Sequence, residues 1–138
     1  MRRAALALAA MALVLPGCAT IPEARRTGRI IAIDGGTLEV DGARVPLWGI
    51  KVADPTTTAG WQAKLFLSTA VSEGPVSCAL KLPEPALWQC LTVHGFDLGS
   101  LLVQTGLAYA AGPYYQFEES RARIAERGLW RLNEGKGR

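Results

Sequence analysis

The sequence predicts a small α+β domain, mainly β, in which five short strands close into a barrel that three helices cap. Short runs rich in β-branched residues recur between positions 29 and 93, and glycine- or proline-containing turns separate them. Three further stretches have helical periodicity. Five short antiparallel strands cannot bury two faces as an open sheet of this size, so we expect the sheet to close into a barrel.

The first three strands are expected at residues 29–33, 38–40 and 45–52. The first is rich in β-branched side chains, and the second alternates apolar with polar ones. Between them Asp34, Gly35 and Gly36 form a tight-turn signal, because glycine accepts positive φ. Gly49 inside the third run indicates a bend where a barrel curves.

The later elements are a helix at 60–72, strands at 76–82 and 87–93, and helices that begin at 98 and 116. Gly74 and Pro75 end the first helix. Asp97 is suited to cap the second helix, which ends near Gly106. The last helix covers 116–127. This order is that of an OB-fold with added C-terminal helices, although periodicity alone supports only a small β-rich α+β domain.

The N-terminus resembles a bacterial lipoprotein signal. Arg2 and Arg3 precede an apolar run at 4–15, which is too short to cross a bilayer of roughly 30 Å. It ends in Leu-Pro-Gly-Cys, where Cys18 is the residue that would be lipidated. We therefore expect a signal peptide at 1–17, a tether at 18–27, and an exported lipoprotein in the outer membrane facing the periplasm. The alternative is an ordinary secretory signal that is cut nearby.

The charge of the processed chain argues against a polyanionic partner. Removal of residues 1–17 leaves 138 − 17 = 121 residues, which suffice for one domain. It also lowers the basic residues from 15 to 13 against 12 acidic ones, a net charge of +1. A nearly neutral domain has no strong field to attract nucleic acid. We expect a monomer with an unknown envelope partner, held to the membrane by its lipid.

Two cysteines are expected to form a disulfide. Cys78 and Cys90 both lie in apolar, strand-like runs of a chain that is expected to reach an oxidising compartment. A zinc site is the weaker alternative, because their spacing is not CxxC and the single histidine is His94.

Several short motifs follow one another along residues 28–131. They are Asp34-Gly35-x-Thr37-Leu38, Leu47-x-Gly49-Ile50, Asp97-Leu98-x-x-x-Leu102-Val103-x-x-Gly106-Leu107-Ala108, the pairs Glu118-Glu119 and Ala122-Arg123, and Gly128-Leu129-Trp130. In order and spacing they resemble the thermonuclease (staphylococcal nuclease-like) family. The resemblance implies that family's five-stranded OB-like barrel over 28–131, followed by a polar tail at 132–138. The chemistry of that family is calcium-dependent cleavage of phosphodiesters.

The resemblance places the family's metal ligands on positions that are largely substituted. Asp34 retains the first aspartate of the turn, but the second, a metal ligand, falls on Gly36. The other metal aspartate falls on Lys51, whose ammonium would reverse the local field by about 4 kcal/mol per unit charge at 4 Å and an effective dielectric of 20. We therefore expect no bound metal or cofactor, and a salt bridge from Lys51 to Asp34 or Asp54.

The catalytic positions are substituted as well. The two arginines of the family fall on Pro46 and Pro85, and the glutamate that orients water falls on Asp54, a shorter carboxylate. Loss of one electrostatic donor typically costs about 10²–10³ in rate. No catalytic residue is expected here, and the domain is interpreted as a pseudoenzyme.

A few other side chains could still contact a ligand. Arg44 lies two residues before Pro46 and so on the same strand face, while Lys81 could replace the second arginine. Trp88 could offer a stacking platform. The alternative for the cations is a solvated strand edge, and for Trp88 it is burial. Trp61 and Trp130 fall at family positions that pack in the core, and His94 is expected in a surface turn.

Three functions remain open from the sequence. The first is a lipid-anchored, non-catalytic module that binds or supports an envelope component. The second is a residual or altered metal-dependent phosphodiesterase that uses Asp34, Asp54 and Arg44. The third is binding of single-stranded nucleic acid without cleavage, which predicts a steep salt dependence of affinity.

Overall fold

The computed structural model describes residues 24–132. The predicted signal peptide, the predicted tether up to residue 23 with Cys18, and all but the first residue of the predicted polar tail lie outside the described residues. The strands are β1 (Arg25–Arg26), β2 (Ile30–Ala32), β3 (Thr37–Val40), β4 (Ala43–Pro46), β5 (Ile50–Val52), β6 (Ser77–Pro83), β7 (Ala86–Leu91) and β8 (Ala108–Ala110). The helices are α1 (Thr58–Ser72), α2 (Leu98–Gln104), α3 (Gln116–Ile124) and α4 (Leu129–Leu132). The α+β class expected from the sequence is confirmed.

The described strands form three small antiparallel sheets, ordered β1-β6-β7, β2-β3-β4 and β5-β8. Their hydrogen bonds do not close into one barrel, which differs from the single closed sheet that we expected. The first two sheets meet through a bridge between Leu47 and Trp88, where the amide of Trp48 donates to the carbonyl of Trp88 at 2.8 Å. The contact brings both sheets over one core.

Gly49 explains why the predicted strand 45–52 is two strands. Its φ of 78° lies in the left-handed region, and a Cβ there would approach the Tyr115 ring to 2.7 Å. The chain bends at this residue, so β4 pairs with β3 whereas β5 pairs with β8. The bend itself was expected. The change of sheet depends on contacts that are distant in sequence.

Three described elements have no counterpart in the sequence prediction. β1 lies in the segment expected to be tether, β8 pairs with β5, and α4 follows the last predicted helix. Each spans two to four residues. Segments this short show no hydrophobic period of their own, since that signal needs a longer window. Tertiary pairing forms them.

The core lies between the sheets and the buried faces of α1 and α2. Its fully buried members include Leu38, Leu67, Leu98 and Leu102. Helix α1 begins at an N-cap, Thr57, whose hydroxyl accepts from the Gly60 amide at 3.1 Å. This hydrogen bond stabilises the start of α1.

A disulfide joins Cys78 to Cys90, as the sequence predicts. The two cysteines are direct cross-strand partners in the β6–β7 pair, and both are completely buried. The bond closes a loop with a sequence separation of 12, for which chain entropy gives a stabilisation of about 3 kcal/mol. It ties together the hairpin that packs against the rest of the core.

Candidate functional site

A surface cleft of about 340 Å³ lies where the β2–β3 turn, the ends of β4 and β5 and the loop before α1 meet. We call it the central cleft. It contains four positions that the resemblance assigns to the family's site: Asp34, Gly36, Pro46 and Asp54. Its other lining residues are apolar or hydroxylic, namely Thr37, Leu47, Ile50, Val52, Ala53, Pro55 and Leu87. A larger cavity of about 400 Å³, along the β2–β3 hairpin, is lined by none of the four.

Asp34 is used by the turn that carries it. Its Oδ1 accepts from the amide of Gly36 at 2.8 Å, and the amide of Ile33 donates to the carbonyl of Thr37 at 2.9 Å. A carboxylate that caps its own turn in this way has a structural function without any ligand. The sequence correctly placed Asp34 in a tight turn at the cleft.

Gly36 faces a wall formed by Val52. A Cβ at position 36 would lie 3.1 and 3.2 Å from the two γ-methyl groups of Val52, which is a tight contact. Val52 is part of β5 and lines the same cleft. The space beside Gly36 is thus apolar and largely occupied, so a carboxylate at position 36 would need Val52 to move.

Lys51 is not in the central cleft, which corrects the expectation that its ammonium occupies a former ligand position. Ile50 and Val52 line the cleft, and successive side chains of a strand point to opposite faces. Lys51 therefore points away, is exposed, and pairs with Tyr109 in the β5–β8 ladder. No salt bridge joins it to Asp34 or Asp54 in the described part of the chain, so that prediction was wrong.

Asp54 forms the turn that leads into α1. Its Oδ1 accepts from the hydroxyl of Thr56 at 2.5 Å and from the Thr56 amide at 2.8 Å. These two hydrogen bonds lower the pKa of the Asp54 carboxyl below its ordinary value. The backbone carbonyl of Asp54 also accepts from the Thr57 hydroxyl at 2.6 Å. Asp54 is therefore an ionised carboxylate held by its own loop.

The central cleft carries negative charge. Its titratable lining residues are Asp34 and Asp54, and within the described part of the chain no lysine, arginine or histidine lines it. Among residues 24–132 no group of three or more His, Cys, Asp or Glu side chains could hold a metal ion. Calcium needs six to eight oxygen ligands, several of them carboxylates. The side chains present do not fit the metal that the family resemblance implies.

The cations proposed as ligand contacts lie outside the cleft. Arg44 is exposed and is the cross-strand partner of Glu39 in the β3–β4 pair. Lys81 is exposed beside the irregularity between Leu80 and Leu82 in β6. Pro85 lies in the exposed β6–β7 turn. None of these residues supplies positive charge to the lining of the cleft.

The four tryptophans occupy different environments. Trp88 is 6% exposed, and the guanidinium of Arg26 lies 5.1 Å from its ring centroid, so it is not available as a stacking platform. Trp61 is 59% exposed, which contradicts the expected core position. Trp130 is half-buried, with the Arg123 guanidinium 4.0 Å from its ring centroid. Trp48 packs against Tyr114 with ring centroids 3.9 Å apart.

A polar network centred on Asp97 was only partly found from sequence. Asp97 caps α2 as expected, because its Oδ1 accepts from the amides of Gly99 and Ser100 at 2.9 and 3.4 Å. Its Oδ2 also accepts from the Tyr115 hydroxyl at 2.7 Å and from Gln89 Nε2 at 2.6 Å. No motif predicts these two partners, because Gln89 lies on the preceding strand and Tyr115 lies 18 residues after Asp97.

No model of a known protein family and no curated protein matched the chain. In the described segment no helix is long and apolar enough to cross a membrane. The function is therefore inferred from the motifs of the sequence and from the geometry of the central cleft.

Proposed function

We propose that this chain is a lipid-anchored, non-catalytic thermonuclease-like domain that acts as a binding or structural module of the bacterial envelope. The observation that carries the proposal is the lining of the central cleft, to which residues 24–132 contribute two carboxylates and no cation. Each carboxylate already accepts hydrogen bonds from its own turn. The cleft is thus open, while its two carboxylates stabilise the turns that carry them.

The proposed OB-like barrel is supported by the way in which the sheets meet. Leu47, at the end of β4, bridges to Trp88 in β7, and both side chains are buried in the common core. This contact links the β1-β6-β7 sheet to the β2-β3-β4 sheet side by side. With the bend at Gly49, the strands curve around one core as an OB-like domain requires.

Hydrolysis of a phosphodiester is disfavoured by the electrostatics of the cleft. A phosphate in the cleft would face Asp34 and Asp54 without a compensating cation among the lining residues. Two unit charges of the same sign about 4 Å apart repel by roughly 4 kcal/mol at an effective dielectric of 20. In an enzyme for this reaction, cationic side chains or a metal ion held by carboxylates must supply the opposite field, because negative charge is present on the phosphate throughout the reaction. The described residues that line the cleft include no cation, and no group of three or more His, Cys, Asp or Glu side chains among residues 24–132 could hold a metal.

Membrane attachment rests on the sequence around Cys18. A basic start, a short apolar run and a small residue before the cysteine are the features of a lipoprotein signal. Several acyl chains at about 0.8 kcal/mol per buried CH₂ group give a stable anchor, whereas one chain alone binds reversibly. The alternative is a secretory signal without lipidation. Mass analysis of the N-terminal peptide distinguishes the two.

The decisive test is incubation of the purified protein with single- and double-stranded DNA and RNA in the presence of Ca²⁺, Mg²⁺, Mn²⁺ or Zn²⁺. An authentic thermonuclease serves as the positive control. We expect no cleavage above that of buffer and no heat of metal binding by calorimetry. Sustained cleavage that D34A or D54A abolishes would refute the proposal and favour an altered phosphodiesterase. Tight single-strand binding with a steep salt dependence would favour the nucleic-acid alternative.

A further inference from the structure

The chain enters the domain beside the tip of the β6–β7 hairpin. Strand β1 pairs antiparallel with β6, with Arg25 opposite Ala79 and Arg26 opposite Cys78. The carbonyl of Ala24 accepts from the amide of Leu80 at 3.0 Å, which continues this register. Residues before Ala24 are therefore attached at the end of β6 that leads to the hairpin tip.

The tip of this hairpin is exposed to solvent. Every residue from 81 to 86 is exposed, including Leu82, whose side chain is 40% exposed. The segment reads Lys81-Leu82-Pro83-Glu84-Pro85-Ala86. An exposed leucine among prolines, with a lysine before it, is suited to the boundary between headgroups and water, where an apolar side chain can insert and a cation can contact phosphate.

The distance between the anchor and the domain is short. From Cys18 to Ala24 there are 24 − 18 = 6 residue steps, which can span at most about 20 Å. Four residue steps of strand, or roughly 13 Å, separate the level of Leu80 from that of the tip residue Glu84. When β1 points toward the membrane, a fully extended tether places the anchor about 20 Å beyond the level of Leu80, and the tip lies about 13 Å beyond the same level. The tip is then about 7 Å from the plane of the anchor.

We propose that the tip of the β6–β7 hairpin, residues 81–86, rests on the membrane surface and holds the central cleft beside the bilayer. The proposal rests on the lipid anchor at Cys18 that we propose above. Leu87 immediately follows the tip and lines the cleft, which connects the two sites. A ligand of the cleft would then be reached at the membrane surface, as a headgroup or the membrane-proximal part of an envelope component.

The test uses the full-length processed protein in vesicles of phosphatidylethanolamine and phosphatidylglycerol. A bimane fluorophore is attached to L82C or, as the matched control, to L91C, and a nitroxide-labelled lipid headgroup quenches it. Leu91 is a leucine of the same hairpin with a similar exposure of 37%. It lies four residues beyond Leu87, the partner of Leu82. We expect at least about twofold stronger quenching at position 82, because roughly 13 Å of strand separates the two levels.

Equal quenching at both positions, or stronger quenching at position 91, would refute the orientation. The unsubstituted protein supplies a second measurement: deuterium uptake by amides of 81–86 should slow in vesicles relative to detergent, while uptake by the turn at 93–96 should not. Mass analysis of Cys18 separates the two proposals. A lipidated Cys18 without protection of the tip removes only the orientation, whereas a Cys18 without lipid removes both.

Discussion

Substitution of Asp97 by alanine should destabilise the protein by about 3 kcal/mol. The carboxylate caps α2 and accepts hydrogen bonds from the Tyr115 hydroxyl and from Gln89. Loss of an N-cap costs about 1 kcal/mol, and a hydrogen bond to a charged group contributes about 1.5 kcal/mol. The sum of roughly 4 kcal/mol is an upper value, because neighbouring effects are not additive.

The assay is urea unfolding of the purified protein with its disulfide intact, followed by tryptophan fluorescence and by circular dichroism. Asp97→Asn is the matched control, because asparagine is an equally good cap and can keep only part of the side-chain network. We expect a loss of about 1–2 kcal/mol for this variant, between the wild type and D97A. The m-value should stay unchanged in each case.

A double-mutant cycle isolates the bond between the two side chains. Y115F should cost about 1 kcal/mol in the wild type and clearly less in the D97A background, because its partner is already absent. A loss below about 1 kcal/mol for D97A would refute the importance of the network. Strict additivity of D97A and Y115F would refute the coupling between its members.

Three further results are expected. Reduction of the Cys78–Cys90 disulfide should lower the free energy of unfolding by about 3 kcal/mol in denaturant titrations, and an unchanged midpoint would contradict this. Burial and the hydrogen bond to Asp97 raise the pKa of the Tyr115 hydroxyl above its ordinary value of 10.0, so its contribution to stability is complete below pH 10 and declines above it. Because Tyr115 should stay protonated in the folded protein, Y115F should develop the same phenolate absorbance on titration as the wild type. A smaller phenolate signal for Y115F would mean that Tyr115 ionises in the wild type and would contradict the raised pKa. W88A should cost about 3–5 kcal/mol whereas W61A should stay within about 0.5 kcal/mol, and similar losses for both would refute the assigned burial.

Local chemistry made a substantial part of the fold predictable. Asp34 with its two glycines signalled the tight turn, Asp97 signalled the start of α2, and the run at 60–72 closely anticipated α1. These features depend on residues within a few positions of one another, through capping, glycine conformation and periodicity. The disulfide was predictable from composition and compartment.

The exposure of individual side chains was harder to predict. Trp61 lies on an amphipathic helix, yet it is exposed, because Ala59, Ala63 and Leu67 form the buried stripe of α1. Lys51 was assigned to the cleft, but its neighbours Ile50 and Val52 line the cleft and its own side chain points to the opposite face of β5. Such errors arise because a family position fixes the order of residues, whereas the direction of a side chain depends on strand register and on packing.

The sequence by itself determined which chemical groups stand at the positions that the resemblance assigns to the family's site. Asp34 and Asp54 are carboxylates, whereas glycine and prolines stand where the resemblance would place a metal ligand and the arginines. Only the tertiary structure decided what surrounds them. It leaves an open cleft, sets Val52 against Gly36, turns Lys51 outward, and commits both carboxylates to their own turns. The physical reason is that the identity of a residue is a local property. The electric field and the free volume of a cleft depend instead on many groups that only the folded chain brings together.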